Sequence, residues 1–154
     1  MKEFQYRTTV KWTGNEGSGT STKTFGRDSE TAAPRKPTIP GSAPPEFGGD
    51  GISWAPEDLF VAAVSQCHML TYLFLCHRAG IVVESYDDEA VGTLVVEGAS
   101  GGRFAKVELR PIVTISVGDP VTAEALHVDA SAGCFVGNSI TCPVTVAGTV
   151  RFAN

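Results

Sequence analysis

The segment "APEDLFVAAVSQCHMLTYLFLCHRAG", Ala55–Gly80, decides the fold. Pro56 suits the first position of a helix, where its missing N–H costs nothing. Glu57 and Asp58 complement the positive end of the helix dipole. Arg78 falls in the last turn, and Gly80 is a stop signal. The helix predicted over 56–79 has 24 residues, and at about 1.5 Å per residue it runs roughly 36 Å. It is apolar on most sides, so other elements must wrap it. Ser65, Gln66, His68 and Thr71 interrupt the apolar run Leu59–Cys76. Those groups are costly in lipid, so the segment reads as a buried helix and no membrane span is expected.

Upstream, "FQYRTTVKW" (Phe4–Trp12) alternates apolar and polar residues and predicts a half-buried strand, with Phe4, Tyr6, Val10 and Trp12 on one face. "GNEGSG" (Gly14–Gly19) is a turn and "TSTKTF" (Thr20–Phe25) the returning strand. Arg27–Asp50 is rich in Pro and Gly, a long surface loop with room for one short strand. Downstream, "IVVESY" and "AVGTLVVEG" read as strands, "GASGG" (Gly98–Gly102) as a turn, and "RFAKVELRPIVTISV" as strand again. Pro111 within it points to an edge or a bulge. Asp119-Pro120 is a cap followed by a first-turn proline, opening a second helix through about Gly137. "CPVTVAGTVRF" (Cys142–Phe152) closes the chain as a strand. The expected class is α+β, an antiparallel sheet with two helices packed on it.

A chain of 154 residues implies one domain over 1–154. Its parts are N-terminal strands and loop (1–50), central helix (56–79), strands (80–118), second helix (119–137) and final strand (142–152). Apolar residues make up 42% and the net charge is −5, with no run of Lys or Arg. That composition fits a folded globule and gives no positive patch for nucleic acid. The N-terminus lacks the apolar core of a signal peptide, so a reducing cytoplasm is expected. There a cysteine pair is more often catalytic or metal-binding than structural.

Within the central helix, the stretch Ser65–Cys76 holds two of the four cysteines, Cys67 and Cys76, and one of the three histidines, His68. No CxxC, HxxxH or CxxH spacing is present, and adjacent Cys67 and His68 point about 100° apart, so no metal site is expected. Cys67 and Cys76 are 76 − 67 = 9 residues apart, roughly 13.5 Å along the helix and on opposite faces. A bridge between them fails, since it needs Cα atoms within about 7 Å. A partner for Cys67 must be Cys134 or Cys142. Cys76 and Cys142 read as small buried hydrophobes. His68 is a candidate site residue because it neighbours Cys67; His127 reads as an ordinary helix histidine. A reactive Cys67 needs a cation brought from elsewhere, an arginine held by an acid such as Glu57. Glu57 and Cys67 differ by an ideal 280° around the helix, so a loop or a second subunit must bridge them.

These residues resemble the OsmC/Ohr family, whose members handle organic hydroperoxides. Pro56, Glu57, Leu59 and Cys67 match its central-helix signature. "GCFVGNSITCPV" resembles the second-cysteine block of the OsmC-like branch, with Cys134 in place. The resemblance implies an intertwined homodimer with the site at the subunit boundary. It implies a peroxidase in which Cys67 attacks the hydroperoxide, Cys134 resolves the sulfenic acid as a disulfide, and a dithiol or lipoyl-type reductant completes the cycle. Glu57 would hold an arginine, and Arg27 in "FGRDSE" resembles the position that the OsmC-like branch uses. Trp54, Phe60, His68 and Leu70 would line the substrate site. No metal, haem or flavin is implied. The alternative for the same fold is a small-ligand-binding or oxidant-sensing protein without turnover. Three departures stand out: Ala55 replaces the asparagine before Pro56, the turn at Gly14–Gly17 has no arginine, and Ser131 replaces a histidine before the second cysteine.

Overall fold

The computed structural model describes residues 1–98 and 101–153. Two compact units are present, Met1–Leu59 and Phe60–Asn154. The turn expected at Gly98–Gly102 includes residues 99 and 100, which lie outside the described residues.

In the first unit, β1 (Thr9–Trp12), β2 (Ser29–Ala32) and β3 (Ile39–Gly41) form an antiparallel sheet in that order. β1 is shorter than expected, and the return strand is β2, not Thr20–Phe25. Side-chain chemistry in the loop explains the shift. Asn15 Oδ1 accepts from the N–H groups of both Gly17 and Gly19 at 2.9 Å, which builds a broad turn. The Trp12 indole donates to Gly26 O at 2.8 Å, and Thr13 and Gly14 both donate to Asp28 O. The Ser/Thr-rich stretch is thereby held in the loop. The alternation also does not bury its apolar face: Phe4, Tyr6 and Val10 are exposed.

Helix α1 spans Pro56–Arg78. Ala55 has no capping oxygen, but Asp58 Oδ2 reaches back to accept its N–H at 3.0 Å, the reverse half of a capping box. The far end closes by a Schellman motif: Gly80 N–H donates to His77 O and Ile81 N–H to Cys76 O. Gly80 takes φ +71°, the left-handed conformation that glycine adopts without penalty.

In the second unit, α1 buries Val64, His68, Tyr72 and Cys76, one stripe at four-residue spacing. β4 (Val82–Asp88) pairs antiparallel with β7 (Pro111–Val117), and β5 (Val91–Glu97) with β6 (Gly101–Leu109). The expected closing strand is two strands. β8 (Val144–Val146) joins β6 and β9 (Thr149–Phe152) joins β7, both in parallel. The chain crosses from one sheet to the other at Ala147–Gly148, where Ala147 N–H donates to Leu109 O. Gly148 lies against the His127 ring; a Cβ there would stand 2.6 Å from Nε2. Pro111 opens β7, the central strand of β4-β7-β9, and so is neither at an edge nor a bulge. A first-residue position tolerates proline equally well.

Helix α2 spans Pro120–Gly133, with Asp119 Oδ2 accepting Thr122 N–H at 2.9 Å. It ends four residues before the expected Gly137. Cys134 is extended, and the turn after it is tied back by Asn138, whose Nδ2 donates to Ala132 O at 2.8 Å. That bond satisfies one of the orphan carbonyls of the helix end. Two core clusters result. Tyr72, Cys76, Ile81, Val113, Ile115, Ala123 and Ala130 form one, and Val64, Val107 and Leu109 the other. The class is α+β, as expected from the sequence.

Candidate active site

Cys67 leaves α1 off the core stripe and is half-buried. Its sulfur lies 3.5 Å from Val136 N, whose N–H points at it. Cys134 caps the end of α2 and is buried, and its sulfur accepts from Gly137 N–H at 3.3 Å. Burial pushes the Cys134 thiol up, and the nearby Cys67 thiol adds to the shift. The two thiols that lie far apart in sequence are therefore neighbours. Cys76, by contrast, is in the core at 1% exposure.

Beside Cys67 runs an apolar groove of about 640 Å³, walled by Leu70, Phe74, Leu75, Phe135 and Val136. Gln66, Thr71 and Asp129 supply its few polar groups. Leu70 and Phe74 are each 58% exposed, large apolar residues left open on a long helix. By length and composition alone α1 resembles a membrane-spanning helix, yet its other face carries His68 into the core.

His68 points away from the groove. Its Nε2 is 3.0 Å from Nδ1 of His127, and the Tyr72 ring stacks on His127 at 4.0 Å between centroids. Burial pushes both imidazoles down, and the proximity of His68 takes His127 to about 4. His68 also lines a second, smaller cavity of about 160 Å³, together with Cys134, Cys142, Ser131 and Val64. The His68–His127 contact was not legible in the sequence. Its one trace is the spacing of His127, Ala130 and Cys134 on a single face of α2, and nothing there names a partner 59 residues away.

The remaining candidates are dispersed. Phe60 is not in the groove: its ring stacks on Phe104 at 4.4 Å and packs on the Val64–Val107–Leu109 cluster. Trp54 is half-exposed in the first unit, its backbone bridged to Gly41. Arg27 donates to the carbonyl of Phe25, and its guanidinium lies 3.5 Å over the Phe25 ring. Glu57 forms no ion pair among the described residues, and its Oε2 is buried without a hydrogen-bond partner. No three His, Cys, Asp or Glu side chains converge as a metal site among the described residues.

Residues 48–147 match the family model for OsmC-like proteins. The chain belongs to the OsmC-like protein family. Glu57, Cys67 and Cys134 fall within the matched region, and Arg27 lies outside it. Among solved structures, an OsmC-like protein of unknown function from Vibrio cholerae is 29% identical, with a TM-score of 0.87 over 95% of this chain and 99% of that one. An OsmC-like protein from Mycoplasma pneumoniae is 13% identical, TM-score 0.73, covering 97% and 99%. An organic hydroperoxide resistance protein from Elizabethkingia anophelis is 17% identical, TM-score 0.69, covering 99% of each chain. The last two establish the fold alone. No curated protein matches the chain.

Proposed function

We propose that this OsmC-like protein is a thiol-dependent peroxidase that reduces organic hydroperoxides to alcohols. The observation that carries the reading is the convergence of two thiols on one turn, where Val136 N–H points at the Cys67 sulfur and Gly137 N–H at the Cys134 sulfur, with Cys67 in the wall of an apolar groove. The Cys67 thiolate attacks the terminal peroxide oxygen, the O–O bond breaks, and the alcohol departs with a proton, leaving Cys67 as a sulfenic acid. The Cys134 sulfur then attacks the Cys67 sulfur, water leaves, and a disulfide joins the two. An external dithiol or lipoyl-type reductant in the cytoplasm restores both thiols. Val136 N–H is aimed at the Cys67 sulfur, where the attack takes place. Leu70 and Phe74 favour an apolar R group over hydrogen peroxide. The reaction needs no metal, haem or flavin, and the role is an antioxidant one in stress response.

Glu57 Oε2, buried without a donor, calls for a cation. In this reading the cation is Arg27, drawn from its resting place over Phe25 when the homodimer forms and the substrate binds. A second copy of the chain also covers the open face of α1. One observation favours the non-catalytic reading, ligand binding or oxidant sensing: Arg27 is engaged by Phe25, not by Glu57.

A cumene hydroperoxide assay with dithiothreitol or dihydrolipoamide separates the two. The wild-type protein consumes the peroxide and Cys67→Ser loses turnover entirely. Activity that survives Cys67→Ser removes the mechanism. A wild type that forms the Cys67–Cys134 disulfide without sustained turnover supports sensing instead.

A further inference from the structure

Cys134 has a free thiol on each side. On one side is Cys67: Val136 N–H points at the Cys67 sulfur and, one residue on, Gly137 N–H at the Cys134 sulfur. Toward the interior it lines the cavity of about 160 Å³, and Cys142 lines the same cavity. Cys67 is not part of that cavity wall, and Cys142 is not part of the groove wall. Cys134 therefore has Cys67, a groove residue, as one neighbour and shares a separate cavity with Cys142. Cys142 is half-buried and unbridged. It follows Cys134 by 142 − 134 = 8 residues, across the short turn Gly137–Ser139.

We propose that Cys142 is a third redox thiol, which takes the disulfide over from Cys67 and stores it on the interior side as Cys134–Cys142. The step rests on the reading of Cys67 and Cys134 as the peroxide-reacting and resolving thiols. It is an exchange and needs no further oxidant. The Cys142 sulfur, losing its proton, attacks the Cys134 sulfur of the Cys67–Cys134 disulfide. A new S–S bond forms between Cys134 and Cys142, the Cys67–Cys134 bond breaks, and Cys67 leaves as a thiolate. The number of disulfides is unchanged.

The setting suits such a transfer. The two thiols line a common cavity of about 160 Å³, so side-chain rotation can turn them toward each other. The proton that Cys142 gives up passes to solvent. Closing so short a loop costs little chain entropy. The exchange returns Cys67 to its thiolate while the oxidising equivalent waits in the interior. A chain without reductant could then meet a second hydroperoxide before it is reduced.

The test uses the reduced wild-type protein. It is treated with one equivalent of cumene hydroperoxide or, separately, of diamide, alkylated at intervals and mapped as disulfide-linked peptides. The expected result is an early Cys67–Cys134 peptide replaced by Cys134–Cys142, with Cys67 again open to alkylation. Without reductant, the wild type then consumes two equivalents of hydroperoxide rapidly, and Cys142→Ser or Cys142→Ala only one. A Cys67–Cys134 disulfide that persists with both oxidants, Cys142 alkylated throughout, overturns the relay and leaves the peroxidase reading intact. Transfer after diamide with hydroperoxide unreacted overturns the peroxidase reading and supports the relay. Absence of any disulfide with either oxidant overturns both.

Discussion

The two faces of helix α1 are equally apolar and meet opposite fates. One face, Val64–His68–Tyr72–Cys76, is buried against two core clusters, and its histidine is matched to His127. The other, carrying Cys67, Leu70 and Phe74, forms the wall of an open groove. A thiol in the first is inert packing: burial pushes Cys76 up, away from its reactive form. A thiol in the second is reachable and has a second thiol beside it. A nine-residue step along one helix separates the two roles.

Substitutions on the two faces test that contrast. Tyr72→Ala removes a ring that is fully buried and stacked on His127, and is expected to cost about 3–5 kcal/mol in urea unfolding. The same unfolding of Phe74→Ala, at 58% exposure, should change far less at concentrations where the chain is monomeric. Equal losses would break the contrast.

The buried face is also expected to be acid-sensitive. The unfolded chain binds a proton at His127 near the ordinary imidazole value of 6.5, and the folded chain only near 4. Between those pH values the unfolded state holds more protons, so stability falls as pH drops, by an amount of order 3 kcal/mol once both are passed. His68, displaced in the same direction, adds to the slope, and Asp88 opposes it for both. Denaturation of His127→Gln between pH 7 and 4 should show a clearly shallower decline; an unchanged slope would place the titration elsewhere.

On the open face, Phe74→Asp is expected to weaken the proposed homodimer by about 2 kcal/mol, roughly 30-fold in Kd, by analytical ultracentrifugation. An unchanged Kd would mean that this face is not where a second copy sits. The smallest effect belongs to the helix flank. Ser65 Oγ donates to Asp88 Oδ2, and Asp88 Oδ1 accepts Arg110 N–H at 2.6 Å. Ser65→Ala leaves the second bond in place and should cost about 1 kcal/mol. A loss comparable to Tyr72→Ala would mean that the flank, not the stripe, anchors the helix.

Parts of this architecture are legible in short stretches of sequence. The start and stop of α1 and the cap of α2 are local events, set by Pro56, Gly80 and Asp119 acting on neighbours a few residues away. The exclusion of a Cys67–Cys76 bridge needed helical geometry alone. The hairpin return was misplaced because Asn15 and Trp12 hold the loop through side-chain bonds that alternation does not report. Phe60 stands apart from the groove for a related reason: an aromatic about two turns from Cys67 can as easily face Phe104.

The order of residues was enough to specify a long apolar helix with its ends defined, a thiol that could not pair within that helix, and two blocks that matched a family. Tertiary packing settled which face of the helix turned inward. It also settled that His68 would meet His127 and that Cys134 would lie near Cys67 and share a cavity with Cys142. The physical reason is that a helix apolar on all sides carries no periodic bias of its own. Its orientation is set by what packs against it, and those partners lie dozens of residues away along the chain.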